Sequence, residues 1–227
     1  MPPWGPIVIL CDFDDTVADR NIATLLLDRF HPTTTRKSWR DLHRRFLDGE
    51  ITLAAYQETA FADMGTDRTE QAAYVTESAA LRPGFAELAR YCAAEGIDLA
   101  IVSHGLDFYI GALLGAAGAA GVPFFAVETG GSDGRPTFAY NYADPACAWY
   151  PGNCKCSVLE SYRERHKQVI YAGDGMSDTC PARRADYVFA RGALLAFCRA
   201  EDIPHRELTD FHVVLDYLKA MPAGARA

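Results

Sequence analysis

The stretch VILCDFDDTVADR (residues 8–20) decides the fold. An apolar run stops abruptly at Asp12, and Asp14, Asp15 and Thr16 follow within four residues. A buried strand has no packing reason to end in carboxylates, because like charges repel and burial penalises each one. A positive group must stand opposite them. Residues two apart in an extended chain point the same way, so Asp12 and Asp14 are expected to face one site while Asp15 faces elsewhere. One carboxylate can then act as nucleophile and the other as general acid/base. Their repulsion raises the pKa of one of them, which suits a group that must carry a proton near neutral pH. Asp15 or Thr16 is expected to cap the following helix, with Asp19 three residues beyond Thr16.

Outward from this stretch, short apolar runs alternate with helical patterns. IVIL (7–10), IDLAIVS (97–103), FFAV (124–127), QVIYAG (168–173) and YVFA (187–190) read as strands buried on both faces. Segments 84–95, 106–119, 156–166 and 193–202 read as the crossover helices. That alternation predicts an α/β protein with a doubly wound parallel sheet. Residues 17–81 break the rhythm with helix alone, too much for one crossover. They are expected to form a helical cap, leaving residues 1–16 and 82–227 as the core. Pro83 marks the helix that resumes the core. The Gly-, Pro- and aromatic-rich stretch 130–153 leaves a small hairpin and a long loop both open.

The bulk numbers exclude more than they assign. A net charge of −8 and a pI near 5.2 offer no basic surplus to neutralise phosphates, so nucleic acid is not an expected partner. No stretch approaches the ~20 apolar residues of a membrane helix, and the N-terminus lacks the basic region of a signal peptide. Seven scattered cysteines fit reduced thiols in a cytoplasm better than a disulfide framework. A homodimer is compatible with all of this, and nothing in the sequence requires one.

The polar oddities share one address. Asp12 follows the first strand, Ser103 ends the second, and Asp174 follows the fourth inside GDGMSD (173–178), which also brings Asp178. Ligands of open α/β sheets bind at that carboxyl edge. Four acids around one site call for a cation, and oxygen-only ligands favour a hard ion such as Mg²⁺. Lys155, one of four lysines, falls in the first turn of a helix that Asn153 is expected to cap. There its charge adds to the helix's positive end and attracts an anion. It is the positive group that the opening stretch demands.

Asp-x-Asp-x-Thr (Asp12, Asp14, Thr16), then Ser103, Lys155 and GDGMSD resemble the four ordered motifs of the haloacid-dehalogenase (HAD) superfamily, over nearly the whole chain. The helical insertion resembles the C1 cap of its phosphoserine-phosphatase-like subfamily IB. The CK pair and VFARGALLAFCRAEDIP (188–204) are similar to the branch of methionine-salvage and phosphoethanolamine/phosphocholine phosphatases. The resemblance implies a cytoplasmic Mg²⁺-dependent phosphatase for a small phosphorylated metabolite. Asp12 is then the nucleophile and Asp14 the acid/base, Ser103 and Lys155 hold the phosphoryl group, and Asp12, Asp14 (by its carbonyl), Asp174 and Asp178 serve the metal. A phosphotransferase or a silent phosphometabolite-binding protein on the same fold stays open.

Two departures from relatives bear on substrate. Arg20 and Asn21 stand where phosphoserine phosphatases show a glutamate, and His104 stands where glycine is common. All three are candidate substrate contacts. Cys147, Cys154 and Cys156 lie close together, leaving zinc ligation and free thiols as alternatives. The basic run 36–45 is either an anion-attracting face or a solvated one.

Overall fold

The computed structural model describes residues 6–31, 38–65, 67–131 and 136–221. Among the described residues, seven strands form one sheet in the order β4-β3-β2-β1-β5-β6-β7. They are β1 (Ile7–Cys11), β2 (Asp98–Leu106), β3 (Phe124–Gly130), β4 (Thr137–Ala139), β5 (Gln168–Gly173), β6 (Tyr187–Ala190) and β7 (His205–Glu207). All pairings are parallel except β3 with β4, a hairpin at one edge inside the irregular stretch. The edge strand β7 is one the sequence pattern did not announce.

The apolar runs divide by pleat. Ile7, Ile9 and Cys11 of β1 pack on one side with α5 (Phe85–Glu95), α6 (Asp107–Ala116) and α10 (His212–Ala220). Val8 and Leu10 pack on the other with Val158, Leu159 and Tyr162 of α7 (Lys155–Arg163). Ala182 of α8 (Thr179–Arg184) and Leu194 of α9 (Gly192–Ala200) cover β6. Every residue of β1 is buried, as a central parallel strand requires. Strand order reverses around β1, which lies between β2 and β5, so a crevice opens at the carboxyl ends of these three strands.

Among the described residues, four α-helices sit between β1 and α5: α1 (Ile22–Phe30), α2 (Trp39–Leu47), α3 (Leu53–Ala62) and α4 (Arg68–Ser78). Each has a side-chain cap: Asn21 on the Thr24 amide, Ser38 on Arg40, Thr52 on Ala55, and Asp67 on Thr69 and Glu70. The two ends of this insertion meet. Ala18 and Leu81 form an antiparallel bridge, the Arg82 amide donates to the Val17 carbonyl, and Asp19 N donates to Ala80 O. The Arg82 guanidinium donates to the carbonyls of Asp15, Thr16 and Ala18. Gly84 then starts α5 at φ +86°, where an added Cβ would lie 2.6 Å from the His212 amide nitrogen. Only glycine fits that turn.

Three local expectations fail, each for a physical reason. The backbone after β1 does not stay extended: within residues 13–17 Asp14 is extended (φ −65°, ψ 131°) but Asp15 lies at φ +60°, so the segment is a kinked turn. The Asp15 carbonyl is fixed there by Arg82 and Arg191. Neither Asp15 nor Thr16 caps α1, because the chain runs on to Asn21 before turning helical. Asn153 does not cap α7; its Oδ1 accepts from the Tyr142 amide, and Cys154 takes the cap position, its sulfur accepting from Ser157 N at 3.4 Å.

Candidate active site

Buried Lys155 is the hub of the crevice. Its Nζ stands 2.6 Å from Asp12 Oδ1 and 2.6 Å from Asp178 Oδ1. α7 begins at Lys155, so the side chain leaves the helix's positive end toward β1 and β5. Burial alone would pull the ammonium down, but the Asp12 and Asp178 carboxylates hold it above its usual range.

Asp178 is completely buried and uses both oxygens. Oδ1 accepts from Lys155 and from the Tyr171 hydroxyl (2.6 Å); Oδ2 accepts from the amides of Asp174 (3.0 Å) and Gly175 (2.9 Å). Burial would raise its pKa, yet Lys155 and these donors hold it below the ordinary value. Gly173 makes room, since a Cβ there would lie 2.7 Å from Asp178 Cγ.

Asp12 and Asp174 have the opposite electrostatics. Burial, with Asp178 and Asp174 close by, pushes Asp12 well above a normal carboxyl in spite of Lys155. Burial and then Asp178 raise Asp174 to about 6, although Thr16 Oγ1 donates to its Oδ1 at 2.9 Å. Carboxylate oxygens of Asp12, Asp174 and Asp178 all lie within 4.8 Å of one another. Asp178 is satisfied by Lys155 and its other donors, whereas Asp12 and Asp174 are left short of positive charge, and the all-oxygen donor set fits a hard divalent cation such as Mg²⁺.

Asp14 is clamped. Its Oδ1 accepts from the Ile22 amide at 2.6 Å and its Oδ2 from the Tyr109 hydroxyl at 2.8 Å. Burial raises its pKa to about 6 against the pull of those hydrogen bonds. A carboxyl poised there can give a proton and take it back. Ser103, buried at the end of the regular part of β2, accepts the Gly105 amide on its Oγ at 2.9 Å.

These groups line one cavity of about 480 Å³: Asp12, Asp14, Ser103, Lys155 and Asp174 at its floor, with Asn21 and His104 on its walls. Asp178 lies behind Lys155. Arg20 is turned away, pairing with Asp19 at the surface. His43, Phe46, Tyr56 and Gln57 of α2 and α3 line the opposite side. In the basic run, residues 36 and 37 lie outside the described residues; Arg40, Arg44 and Arg45 pair with Asp28, Asp41 and Glu50 on the surface.

His104 packs on Trp149, and its Nε2 is buried without a partner; burial, then Lys155, holds its pKa near 3, so the ring is neutral. Sequence reasoning missed Tyr109, Tyr171 and Gln57. Gln57 Nε2 donates to the His104 carbonyl at 2.6 Å, joining α3 to β2. Cys147, Cys154 and Cys156 gather near Cys180: the Cys147 thiol is hydrogen-bonded to Cys154, and the Cys156 and Cys180 sulfurs adjoin; among the described residues, the group of three or more ligands with mutual spacing within 4.8 Å is the aspartate one.

An aspartate pair after a central strand, a serine on the next, a lysine at a helix start and a second acidic loop suit a phosphomonoester hydrolase, on a fold shared with solved HAD phosphatases. The chain belongs to the family described as Putative Phosphatase, whose model matches residues 7–205. A protein of Brevibacillus brevis named 2-hydroxy-3-keto-5-methylthiopentenyl-1-phosphate phosphatase is 30% identical over 215 residues, covering 94% of this chain and 95% of the relative. A protein of Geobacillus thermodenitrificans with the same name is 28% identical over 221 residues, covering 95% and 96%. Among solved structures, a HAD family hydrolase from Salmonella enterica serovar Typhi superposes with TM-score 0.72 at 16% identity, covering 98% of this chain and 74% of its own. A phospho-aspartyl intermediate analogue of phosphoserine phosphatase gives TM-score 0.65 at 16% identity, covering 93% and 98%.

Proposed function

We propose that the chain is a cytoplasmic, Mg²⁺-dependent phosphatase that works through an aspartyl-phosphate on Asp12. The observation that supports this best is the division of labour between two neighbouring carboxylates. Asp12 faces the ammonium of Lys155, whereas Asp14 is held apart by Ile22 N and Tyr109.

The Asp12 carboxylate attacks phosphorus and the ester P–O bond breaks. Asp14 gives its proton to the departing oxygen, then takes one from the water that attacks the acyl phosphate and frees Asp12. Lys155 and the Ser103 hydroxyl hold phosphoryl oxygens, and Asp178 keeps Lys155 and the loop at Asp174 in place. Asp12, the Asp14 carbonyl and Asp174 would hold Mg²⁺, which when bound supplies charge stabilisation for the transferring phosphoryl group. The helices over residues 17–81 act as a cap that shields the reaction from water.

Among the described residues, no charged side chain from α1–α4 lines the cavity. The organic part of the substrate is accordingly small and uncharged, in keeping with the phosphoester in the relatives' names. Acid-quenched single turnover with a ³²P-labelled phosphomonoester tests the reading. Label should appear on the chain and be absent from Asp12→Asn; turnover retained by Asp12→Asn would overturn it.

A further inference from the structure

The two thiols that flank the Lys155–Asp178 ion pair lie closer together than ordinary neighbours. Cys156 follows Lys155 in the first turn of α7 and is 5% exposed; Cys180 stands two residues after Asp178 at the start of α8 and is exposed. Their sulfurs are 3.0 Å apart, and both cysteines are unpaired thiols. An S–S bond is about 2.05 Å, so closure needs about 1 Å of approach. The spacing does not suit a shared zinc, whose tetrahedral thiolates at about 2.3 Å from the metal stand nearly 4 Å from one another.

We infer that Cys156 and Cys180 are a reversible oxidation site, closed to a disulfide by a peroxide and coupled to the catalytic floor through Lys155. The exposed Cys180 sulfur attacks a peroxide oxygen; the O–O bond breaks, one water leaves, and Cys180 becomes a sulfenic acid. The Cys156 sulfur then attacks the Cys180 sulfur, the S–O bond breaks and a second water leaves. Two thiols have lost two protons and two electrons to one hydrogen peroxide. A dithiol reductant reverses the step by exchange.

The consequence follows from position. The bond ties the first turn of α7 to the start of α8. Lys155 Nζ holds two contacts of 2.6 Å and has little slack. A displacement of about 1 Å at a positioning group costs on the order of 10²-fold in rate. The activity part of this inference rests on Lys155 binding the phosphoryl group; the cross-link itself does not.

The test uses the full chain, hydrogen peroxide, alkylation of residual thiols and peptide mass analysis, with p-nitrophenyl phosphate turnover measured in parallel. The expected result is a peptide pair joined between Cys156 and Cys180, two hydrogens lighter, with turnover down roughly tenfold or more and restored by dithiothreitol. Cys180→Ser, whose site is exposed, should fold by circular dichroism, keep its turnover and resist peroxide. Absence of the 156–180 cross-link, cross-linking without loss of turnover, equal inactivation of Cys180→Ser, or one equivalent of zinc on the chain as purified would each overturn the inference. Absent turnover before any oxidation would count against the proposed phosphatase mechanism, leaving the cross-link readout intact.

Discussion

Lys155 Nζ and Asp12 Oδ1 meet at 2.6 Å with both side chains less than a tenth exposed, and Asp178 meets the same ammonium at 2.6 Å. Deleting the cation leaves two buried carboxylates uncompensated. Breaking a buried ion pair from one side costs about 3–5 kcal/mol. Lys155→Met is therefore expected to lower the urea midpoint markedly as well as to abolish turnover. An unchanged midpoint would show that the pair contributes nothing to folding.

Asp14→Asn keeps the size of the side chain and removes its proton chemistry. A loss of about 10²–10⁴-fold in kcat is expected from the missing acid/base, with KM little changed. A change confined to KM would assign Asp14 to binding instead.

Gly105 guards the clamp on Asp14. A Cβ at this position would lie 2.2 Å from the Tyr109 hydroxyl oxygen and 2.8 Å from Asp14 Oδ2. Gly105→Ala is expected to lower kcat by displacing both. Adding Tyr109→Phe removes the atom in closest conflict, so the double variant should be faster than Gly105→Ala alone. Steady-state kinetics of the three variants checks the order.

Stripping with EDTA should abolish phosphate release, and Mg²⁺ should restore it where Na⁺ does not. Asp174→Asn should raise the Mg²⁺ concentration needed for half-maximal rate. Turnover indifferent to chelation would remove the cation from the mechanism.

His104 gives stability a pH dependence. Its folded-state pKa is lowered to about 3 from 6.5. Below pH 6.5 the unfolded chain takes up a proton that the folded chain refuses, so stability falls as pH drops from 6.5 toward 3. His104→Gln should flatten that part of the urea-midpoint profile. Identical slopes would place the acid sensitivity elsewhere.

The parts of the fold legible in the sequence were those with a one-dimensional signature. β1, β2, β5 and β6 are apolar on both faces, and each cap-helix start carries Asn, Ser, Thr or Asp. Asp12, Lys155 and Asp174 were legible because each follows a strand or starts a helix; Ser103 was read as the end of its strand, which in fact runs on to Leu106 past a shift in register after Val102. β7 reads His-Arg-Glu and owes its conformation to pairing with β6. α10 was overlooked although Val214, Leu215 and Leu218 carry a helical spacing. Tyr109 and Tyr171 look like core residues in the sequence, and only their hydroxyl partners, Asp14 and Asp178, reveal another role. Cys180 lies 24 positions from Cys156, a distance that folding alone closes.

The Arg82 guanidinium grips the carbonyls on the outgoing side of the insertion, and its own amide lies on the returning side. Both ends of α1–α4 are thus sewn into one short neck. The neck holds the ends of the insertion together, while the Ile22 amide of α1 supports Asp14 and α4 packs on α6 of the core. Exchange of α2 and α3 alone, which line the cavity opposite the floor, would separate the choice of phosphoester from the chemistry performed on it.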